Sequence, residues 1–324
     1  MAIEYEYLKI LNSLALGDEQ TDSPVTRVEN RTGIDTFKTT PCVLSHNMAD
    51  GFPLLTTKRL PFKTIAVELE GFIKGITSKK WFQDRGCTIW DEWCNPQKVP
   101  YGTDAETQKK MREEDDLGPC IYGAAWRRFH DPKSTDYYCD WTTGETDYTT
   151  AWENPREVGP YGVDQLKHIV DTLKTRPTDR RMICMAWNPL GLDHTALPPC
   201  HMFFQVGTRG QYLDLTFYMR SWDFFLGAPF NIASYALLLE ILSYSTGYVP
   251  GVLTAFGHDV HLYANHVDAA KTQLGRIERI LPTWRLPTVE HHWRKDEDIF
   301  SWSHEDISLA GYDPRPAIKV SVAV

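Results

Sequence analysis

The segment from residue 232 to residue 251, IASYALLLEILSYSTGYVPG, is the feature that most constrains the fold. Its first three turns are almost wholly apolar, so a helix formed there would be buried on every side. Gly247 and Pro250 follow the apolar run and are expected to end the helix. Such a helix lies in the middle of a domain, which requires other elements packed around it.

Two neighbouring patterns predict those elements. In GQYLDLTFYMRSWD, residues 210–223, apolar and polar side chains alternate, which predicts a strand with one buried face and places Arg220 near its end. The segments RMICMAW and HMFFQV predict further strands. In FKTIAVELEGFIKG, residues 62–75, apolar residues recur at helical spacing, so Glu68 is expected to point inward and Glu70 to lie on the solvated side with Lys74.

The mixture of helices and strands shows no regular βαβ alternation, and this favours an α+β fold. We predict a single domain over residues 1–324, since no repeat or low-complexity linker interrupts the chain. Residues 94–164 carry prolines, charges and aromatics without a clear period. We interpret that region as irregular surface excursions from the domain.

Composition excludes several classes of function. The formal net charge of -9 disfavours a broad grip on DNA, RNA or an anionic membrane, so any anionic partner is expected to be small. The first residues are acidic where a signal peptide would be basic, and no apolar run approaches about 18 residues, so we expect a cytoplasmic protein without a membrane span. The seven cysteines form no CxxC pair, which indicates neither a disulfide framework nor a zinc ribbon.

The segment LPPCHMFFQV, residues 197–206, holds the clearest chemical candidate. Two prolines fix an extended approach to Cys200, and His201 follows it at the start of a predicted strand. A positioned cysteine attacks as a thiolate once its pKa is lowered by cations or hydrogen bonds. From these ten residues alone, a buried core cysteine beside an ordinary strand histidine is the favoured interpretation.

Other polar residues also allow two interpretations. Several arginines near the ends of elements suit a phosphate or remain solvated charges: Arg31, Arg180, Arg181 and Arg220. Asn231 precedes the apolar helix segment and is either an N-cap or a ligand-binding amide. His258, His261 and His266 lie close together, but their spacing matches no established metal motif, so no metal is expected.

Nine segments taken in order resemble the thymidylate synthase family from Asn30 to Val324, about nine tenths of the chain. They are NRTGIDT, GFPLLTTKRL, GCTIWDEW, LGPCIYGAAWR, DRRMICMAWNP, LPPCH, RSWDFFLGAPFNIASYALL, HLYANH and GYDPRPAIKVSVAV. The resemblance implies a large mixed sheet at a homodimer interface with helices on the outer side. It also implies a folate-dependent one-carbon transferase that acts on dUMP, with 5,10-methylenetetrahydrofolate as co-substrate.

The resemblance implies a role for each matching residue. Cys200 is the nucleophile that adds to C6 of dUMP, and Arg220 faces both the thiolate and the phosphate. The other residues with implied catalytic roles are Glu68, Tyr122, His201 and Asp223. The other implied substrate ligands are Arg31, Ser221, Asn231, His261, Tyr263 and, from the neighbouring subunit, Arg180 and Arg181. The implied folate ligands are Trp90, Asp223, Leu226, Gly227, Phe230 and Val324, where the C-terminal segment closes over the folate.

Asn231 matches the residue that reads the uracil edge, since relatives acting on dCMP carry aspartate there. Four positions depart from the family pattern: Pro61 replaces a histidine, Gly71 a bulky aromatic, Met219 a glutamine and His258 a small residue. Loss of bulk at Gly71 is expected to open space, and His258 adds a titratable group.

We therefore expect reductive methylation of dUMP to dTMP, with dUMP hydroxymethylation as the alternative in which water replaces the hydride. A third hypothesis, a silent nucleotide- or RNA-binding relative, is disfavoured by the acidic charge and by the presence of Cys200 with its arginines.

Overall fold

The computed structural model describes residues 3–17, 24–30, 32–92, 116–129, 138–139, 146–147, 162–276, 287–295 and 297–322. The chain divides into two compact units. The first combines Met1–Ala66 with Val206–Val324, and the second is Val67–Gln205. The single catalytic domain over residues 1–324 stays a prediction.

The described helices and strands have the following bounds. The α-helices are α1 (Ile3–Leu16), α2 (Phe62–Lys74), α3 (Lys79–Gln83), α4 (Tyr122–Arg127), α5 (Gln165–Thr175), α6 (Gly227–Thr246) and α7 (Val267–Leu274). The strands are β1 (Thr26–Val28), β2 (Thr36–Thr39), β3 (Cys42–Asn47), β4 (Tyr138–Cys139), β5 (Thr146–Asp147), β6 (Ile183–Met185), β7 (His201–Arg209), β8 (Tyr212–Asp223), β9 (Val249–Tyr263), β10 (Thr288–His291) and β11 (Ile307–Ala310). Short 3-10 helices occupy Met48–Asp50, Pro189–His194, Ala264–His266, Ile299–Ser301 and His304–Asp306.

The first unit is built on a mixed sheet around the long strand β9. Strand β8 runs parallel to β9 along one edge, whereas β2 and β3 pair antiparallel with successive parts of the other edge. Strand β1 continues the sheet beyond β2, and β10 and β11 form a separate antiparallel pair. Helices and a large mixed sheet therefore confirm the predicted α+β class.

Buried and partly exposed side chains alternate along β8, so one face of the strand is covered by other parts of the protein. Leu213, Leu215, Phe217 and Met219 are buried, as their spacing predicted, and α6 packs against β8 and β9. Helix α6 is buried around most of its circumference and ends at Gly247, whose φ of 82° is a left-handed conformation suited to glycine. The apolar segment thus forms the central helix that the sequence predicted. None of the helices in the described ranges is long and apolar enough to cross a bilayer.

The second unit contains α3, α4, α5, β6, the start of β7 and α2 from Val67 onward. Strand β6 pairs antiparallel with β7, and α5 packs against α4 and β6. Helix α4 is buried from Tyr122 to Trp126, so this part of the region predicted as surface excursions is core. Its small and aromatic residues explain the burial. Most of residues 94–164 lie outside the described part of the chain.

Helix α2 buries more of its surface than its periodicity predicted. Ile65, Leu69 and Phe72 are buried as expected, but Glu70 is also only 2 % exposed. Its carboxylate pairs with Lys74 at 2.6 Å, so the expected i,i+4 pair forms while the expectation of a solvated Glu70 is wrong. The reason is that the helix has protein on both sides, which sequence spacing within one helix cannot show.

Candidate active site

Cys200 lies immediately before β7, and its thiol is partly exposed. Its backbone N–H donates a 2.8 Å hydrogen bond to the Tyr122 hydroxyl, at the first residue of α4. Two prolines enter the position from the other side, as predicted. The backbone that carries the thiol is therefore held from two directions, which suits a nucleophile that must be positioned.

Three other described cysteines are poor nucleophiles. Burial raises the pKa of the Cys42 thiol to about 11. Burial, together with the nearby Glu68, raises the pKa of Cys87 to about 12. Burial also raises the pKa of Cys184 well above its usual value. These thiols stay protonated at neutral pH, so Cys200 is the stronger candidate for an attacking thiolate.

Aromatic rings enclose the residues beside Cys200. The His201 imidazole stacks on the Tyr122 ring with centroids 3.9 Å apart and planes 13° apart. Phe72 also stacks on Tyr122 at 5.2 Å, and Trp90 lies tilted against it at 5.9 Å. We call these four residues, Phe72, Trp90, Tyr122 and His201, the aromatic cluster. Burial lowers the pKa of His201 to about 3, so this side chain is neutral at physiological pH and is not a cation.

Glu68 interacts with Trp90, a member of this cluster. Burial raises its carboxyl pKa to about 7, and the Trp90 indole N–H opposes that rise. The same indole nitrogen is buried and makes no hydrogen bond of good geometry. Glu68 keeps partial solvent exposure. A carboxyl group that titrates near neutral pH can both accept and donate a proton, which is what proton transfer requires.

Gly71 does not open the space that its small size suggested. A Cβ added at Gly71 would lie 2.2 Å from the Phe82 ring and 3.3 Å from Trp81. Phe82 is 1 % exposed, and its ring also lies 6.4 Å from that of Trp90. The expectation of a vacancy is therefore wrong, because the aromatic bulk missing at Gly71 is supplied from α3.

In the first unit, the ends of β8 and β9 bring together two candidate phosphate ligands. Alternation breaks at the same register in both strands, where Arg220, Ser221 and Asp259 are partly exposed and His258 is exposed. Ser221 pairs with Asp259, so Arg220 lies beside His258. We call these four residues the polar strand ends. These positions place basic, hydroxyl and acidic side chains close together at the ends of the two strands.

His261 is oriented by a carboxylate that sequence reasoning missed. Its Nδ1 lies 2.9 Å from Asp259 Oδ1, and Lys38 Nζ lies 2.6 Å from the other carboxylate oxygen. The bond from His261, followed by that from Lys38, holds the pKa of Asp259 at about 2. Because the carboxylate only accepts, Nδ1 carries a proton. Tyr263 contacts His261 edge to face at 5.2 Å. The i,i+2 spacing of Asp259 and His261 was the available sequence signal.

The turn from β8 into α6 places Asp223 and Asn231. Asp223 Oδ1 accepts the backbone N–H groups of Phe225 and Leu226, each at 3.0 Å. Asn231 is the fifth residue of α6, which begins at Gly227, so the alternative that Asn231 is an N-cap is wrong. Its Oδ1 instead accepts a 3.2 Å hydrogen bond from Trp222 Nε1. Phe230 lies beside it in the same first turns.

Lys58 is a buried base that the sequence did not single out. Its ammonium donates to the Phe225 carbonyl and lies 3.7 Å from the centre of the Phe225 ring. Burial lowers the pKa of Lys58 to about 7, and the negative charge of Asp223 opposes this. A buried amine therefore lies within electrostatic range of the Asp223 carboxylate.

The predicted phosphate ligands Arg180 and Arg181 lie on the protein surface. Arg181 is exposed and is held by Asp179 through two hydrogen bonds of 2.9 and 2.8 Å, and Arg180 is also exposed. Arg31 and Val324 lie outside the described residues. Within the described ranges, no three histidine, cysteine or acidic side chains gather as a metal site.

The sequence model of the family described as Thymidylate synthase matches residues 9–324, nearly the full length. The match spans every described residue named above as a catalytic, substrate or folate candidate.

Proposed function

The chain belongs to the thymidylate synthase family, and from that premise we propose that it methylates dUMP to dTMP. Family membership makes the protein a one-carbon transferase that acts at C5 of dUMP with 5,10-methylenetetrahydrofolate as co-substrate. The observation that carries the proposal is Cys200: a partly exposed thiol whose backbone is hydrogen bonded to Tyr122.

The chemistry assigned to Cys200 is covalent catalysis. Its thiolate adds to C6 of the pyrimidine, and the electrons of the C5–C6 double bond make C5 a nucleophile. After the one-carbon unit is attached, the C5 proton is lost and the bond from the new carbon to the folate nitrogen breaks. Hydride from the folate then adds to that carbon, and cleavage of the sulfur–C6 bond restores the C5–C6 double bond and the thiolate. Glu68 suits proton transfer in these steps, since its pKa of about 7 lets it exist in both forms at neutral pH.

Nucleotide binding is assigned to residues of both strand ends and of α6. Arg220 and Ser221 would hold the phosphate, with Arg31 as a further ligand. His261 and Tyr263 would bind the ribose hydroxyl, a role supported by the Asp259 contact that fixes the protonated nitrogen of His261. Asn231 would read the uracil edge through its amide.

The residues assigned to the folate fit its chemistry. The Asp223 carboxylate suits the N–H donors of a pterin, and the buried Trp90 indole N–H lacks a hydrogen-bond partner of good geometry. The other residues assigned to this group are Leu226, Gly227, Phe230 and Val324. When bound, the folate supplies the one-carbon unit and the hydride. The side chains assigned here would orient it and exclude water.

We also propose a homodimer, in which Arg180 and Arg181 reach the phosphate bound by the neighbouring subunit. The sheet of the first unit supports this proposal. Val43 and Phe256 are register partners on β3 and β9 and are 54 % and 42 % exposed. Exposed apolar side chains on a broad sheet favour a self-complementary contact with a second copy. The cytoplasmic location stays a prediction.

The position of His258 favours dUMP hydroxymethylation as a second candidate function. It is an exposed titratable side chain beside Arg220, at a position where the family has a small residue. Gly71 no longer supports this alternative, because Phe82 fills the space beside it.

Product analysis separates the two reactions. The purified protein is incubated with dUMP and 5,10-methylenetetrahydrofolate in ¹⁸O-labelled water. Methylation predicts dTMP without label, together with the absorbance rise of dihydrofolate. A product that carries ¹⁸O on the new carbon, with no dihydrofolate formed, would reject methylation in favour of hydroxymethylation. A Cys200→Ser sample is the matched background for both readouts.

A further inference from the structure

We propose that Trp222 sets the base preference of the enzyme by fixing the amide orientation of Asn231. Trp222 Nε1 donates a 3.2 Å hydrogen bond to Asn231 Oδ1. The inference rests on the proposed function, in which Asn231 reads the pyrimidine. Trp222 is therefore a positioning residue, since it acts on the nucleotide through Asn231.

The chemistry of the two side chains decides which way the amide points. An indole N–H is only a donor, whereas an asparagine amide has a donor end and an acceptor end. The atom of Asn231 that faces Trp222 must therefore be Oδ1. The opposite orientation would set N–H groups against each other and leave the buried indole donor unsatisfied. The two N–H groups of Asn231 Nδ2 consequently point away from Trp222.

The indole is itself held by the core of the first unit. Trp222 is fully buried, with the rings of Phe217 and Phe224 edge to face at 6.3 and 5.4 Å. Gly257 on β9 lies directly against it, and a Cβ there would come 2.3 Å from the indole ring. Glycine at that position is what lets the indole occupy its place between the strands. The donor is thus fixed by packing on several sides.

A fixed amide favours one class of pyrimidine. With its N–H groups directed to the ligand, Asn231 can donate to a 4-oxo group, and Oδ1 retains a second lone pair for an N3–H. A 4-amino pyrimidine would place its own N–H groups against those of Asn231 and present an unprotonated N3. Trp222 therefore favours uracil nucleotides over cytosine nucleotides, because it prevents the amide from reversing.

The test is the ratio of the dissociation constants for dUMP and dCMP, measured by calorimetry without folate. Trp222→Phe keeps an aromatic ring but removes the donor, so the preference for dUMP should fall about tenfold, equivalent to about 1.4 kcal/mol. Phe224→Leu is the matched control, because it loosens the packing around the indole and keeps the donor. That control should retain the wild-type ratio even if its affinity for both nucleotides changes.

The possible results separate this inference from the function it rests on. A wild-type protein that binds dUMP no better than dCMP would overturn both. A wild-type preference that survives unchanged in Trp222→Phe would overturn the role of Trp222 alone. If Trp222→Phe fails to fold, hydrogen exchange of the Trp222 indole N–H is compared in the wild type and in Asn231→Leu. Faster exchange in the variant is expected, and an unchanged rate would contradict the proposed contact.

Discussion

Two regions of the molecule shift the pKa values of their ionisable groups by opposite means. They are the aromatic cluster beside Cys200 and the polar strand ends of β8 and β9. Beside Cys200, burial dominates: it lowers the pKa of His201 to about 3 and raises that of Glu68 to about 7. At the strand ends, hydrogen bonds dominate: His261 and Lys38 hold the pKa of Asp259 at about 2. Near physiological pH the first region keeps His201 neutral and holds Glu68 close to the midpoint of its titration, whereas the second keeps Asp259 charged.

This difference matches two separate tasks. A reaction that moves protons needs groups whose two protonation states are close in free energy, and desolvation is how a protein brings a carboxyl group to that point. Recognition of a charged ligand needs side chains with fixed charge and orientation, which ion pairs and hydrogen bonds provide. We infer that the first region is suited to bond making and the second to holding the nucleotide.

The largest expected effect comes from Cys200→Ser. If the thiolate is the nucleophile, turnover should fall by roughly 10³-fold or more, whereas the dissociation constant for dUMP should change only about threefold. Cys42→Ser is the matched control, because Cys42 is also partly exposed but its thiol has a raised pKa of about 11. Steady-state kinetics and calorimetry give both numbers. Substantial turnover in Cys200→Ser would contradict the role of Cys200 as the nucleophile and the assignment of bond making to the aromatic cluster region.

A smaller effect is expected from the neutral histidine. The pKa of His201 is about 6.5 in the unfolded chain and about 3 in the folded protein, so the unfolded state binds more protons between these values. Stability should therefore fall as the pH drops from 6.5 towards 3, by up to about 1.4 kcal/mol per pH unit. His201→Asn should flatten this dependence in urea unfolding, and His292→Asn, at an exposed site, should not. An equally steep curve in His201→Asn would show that the cluster does not exclude the charged imidazole.

The smallest effect is expected from the charged region. Asp259→Asn weakens the contacts to His261 and Lys38. Because the Asp259 and Lys38 side chains are partly exposed, the stability loss should be only about 0.5–1 kcal/mol. The affinity for dUMP should fall a few-fold, because His261 loses the partner that orients it. Asp35→Asn, which removes an exposed pair with Arg27, is the control for surface charge alone. If both variants bind dUMP equally well, Asp259 does not position His261.

Much of the fold could be predicted from local patterns. The periodicities over α2, β8 and α6 gave the right element types and most of the buried positions, since each pattern covers ten or more residues. Glu70 and α4 were misjudged because their burial depends on what packs against them. The six residues of Tyr122–Arg127 are too few to show a period, and no spacing within α2 reveals that the solvated side is covered.

The candidate residues came mainly from motif resemblance, and the contacts between them did not. Phe82 fills the space beside Gly71 although the two positions belong to different helices. Trp222 reaches Asn231 across the turn from β8 into α6, and Lys58 reaches the Phe225 carbonyl from a distant segment. Each of these contacts depends on tertiary packing, so a pattern read along the chain cannot contain it.

The central claim is that the Cys200 sulfur bonds to C6 of the pyrimidine, and mass mapping tests it most directly. The protein is incubated with 5-fluoro-dUMP and 5,10-methylenetetrahydrofolate, digested and analysed by mass spectrometry. Fluorine at C5 cannot leave as a proton does, so the adduct should persist on the Cys200 peptide with the mass of both ligands. No adduct on that peptide, or one attached to another cysteine, would contradict the account and would favour a silent nucleotide-binding relative or a different nucleophile.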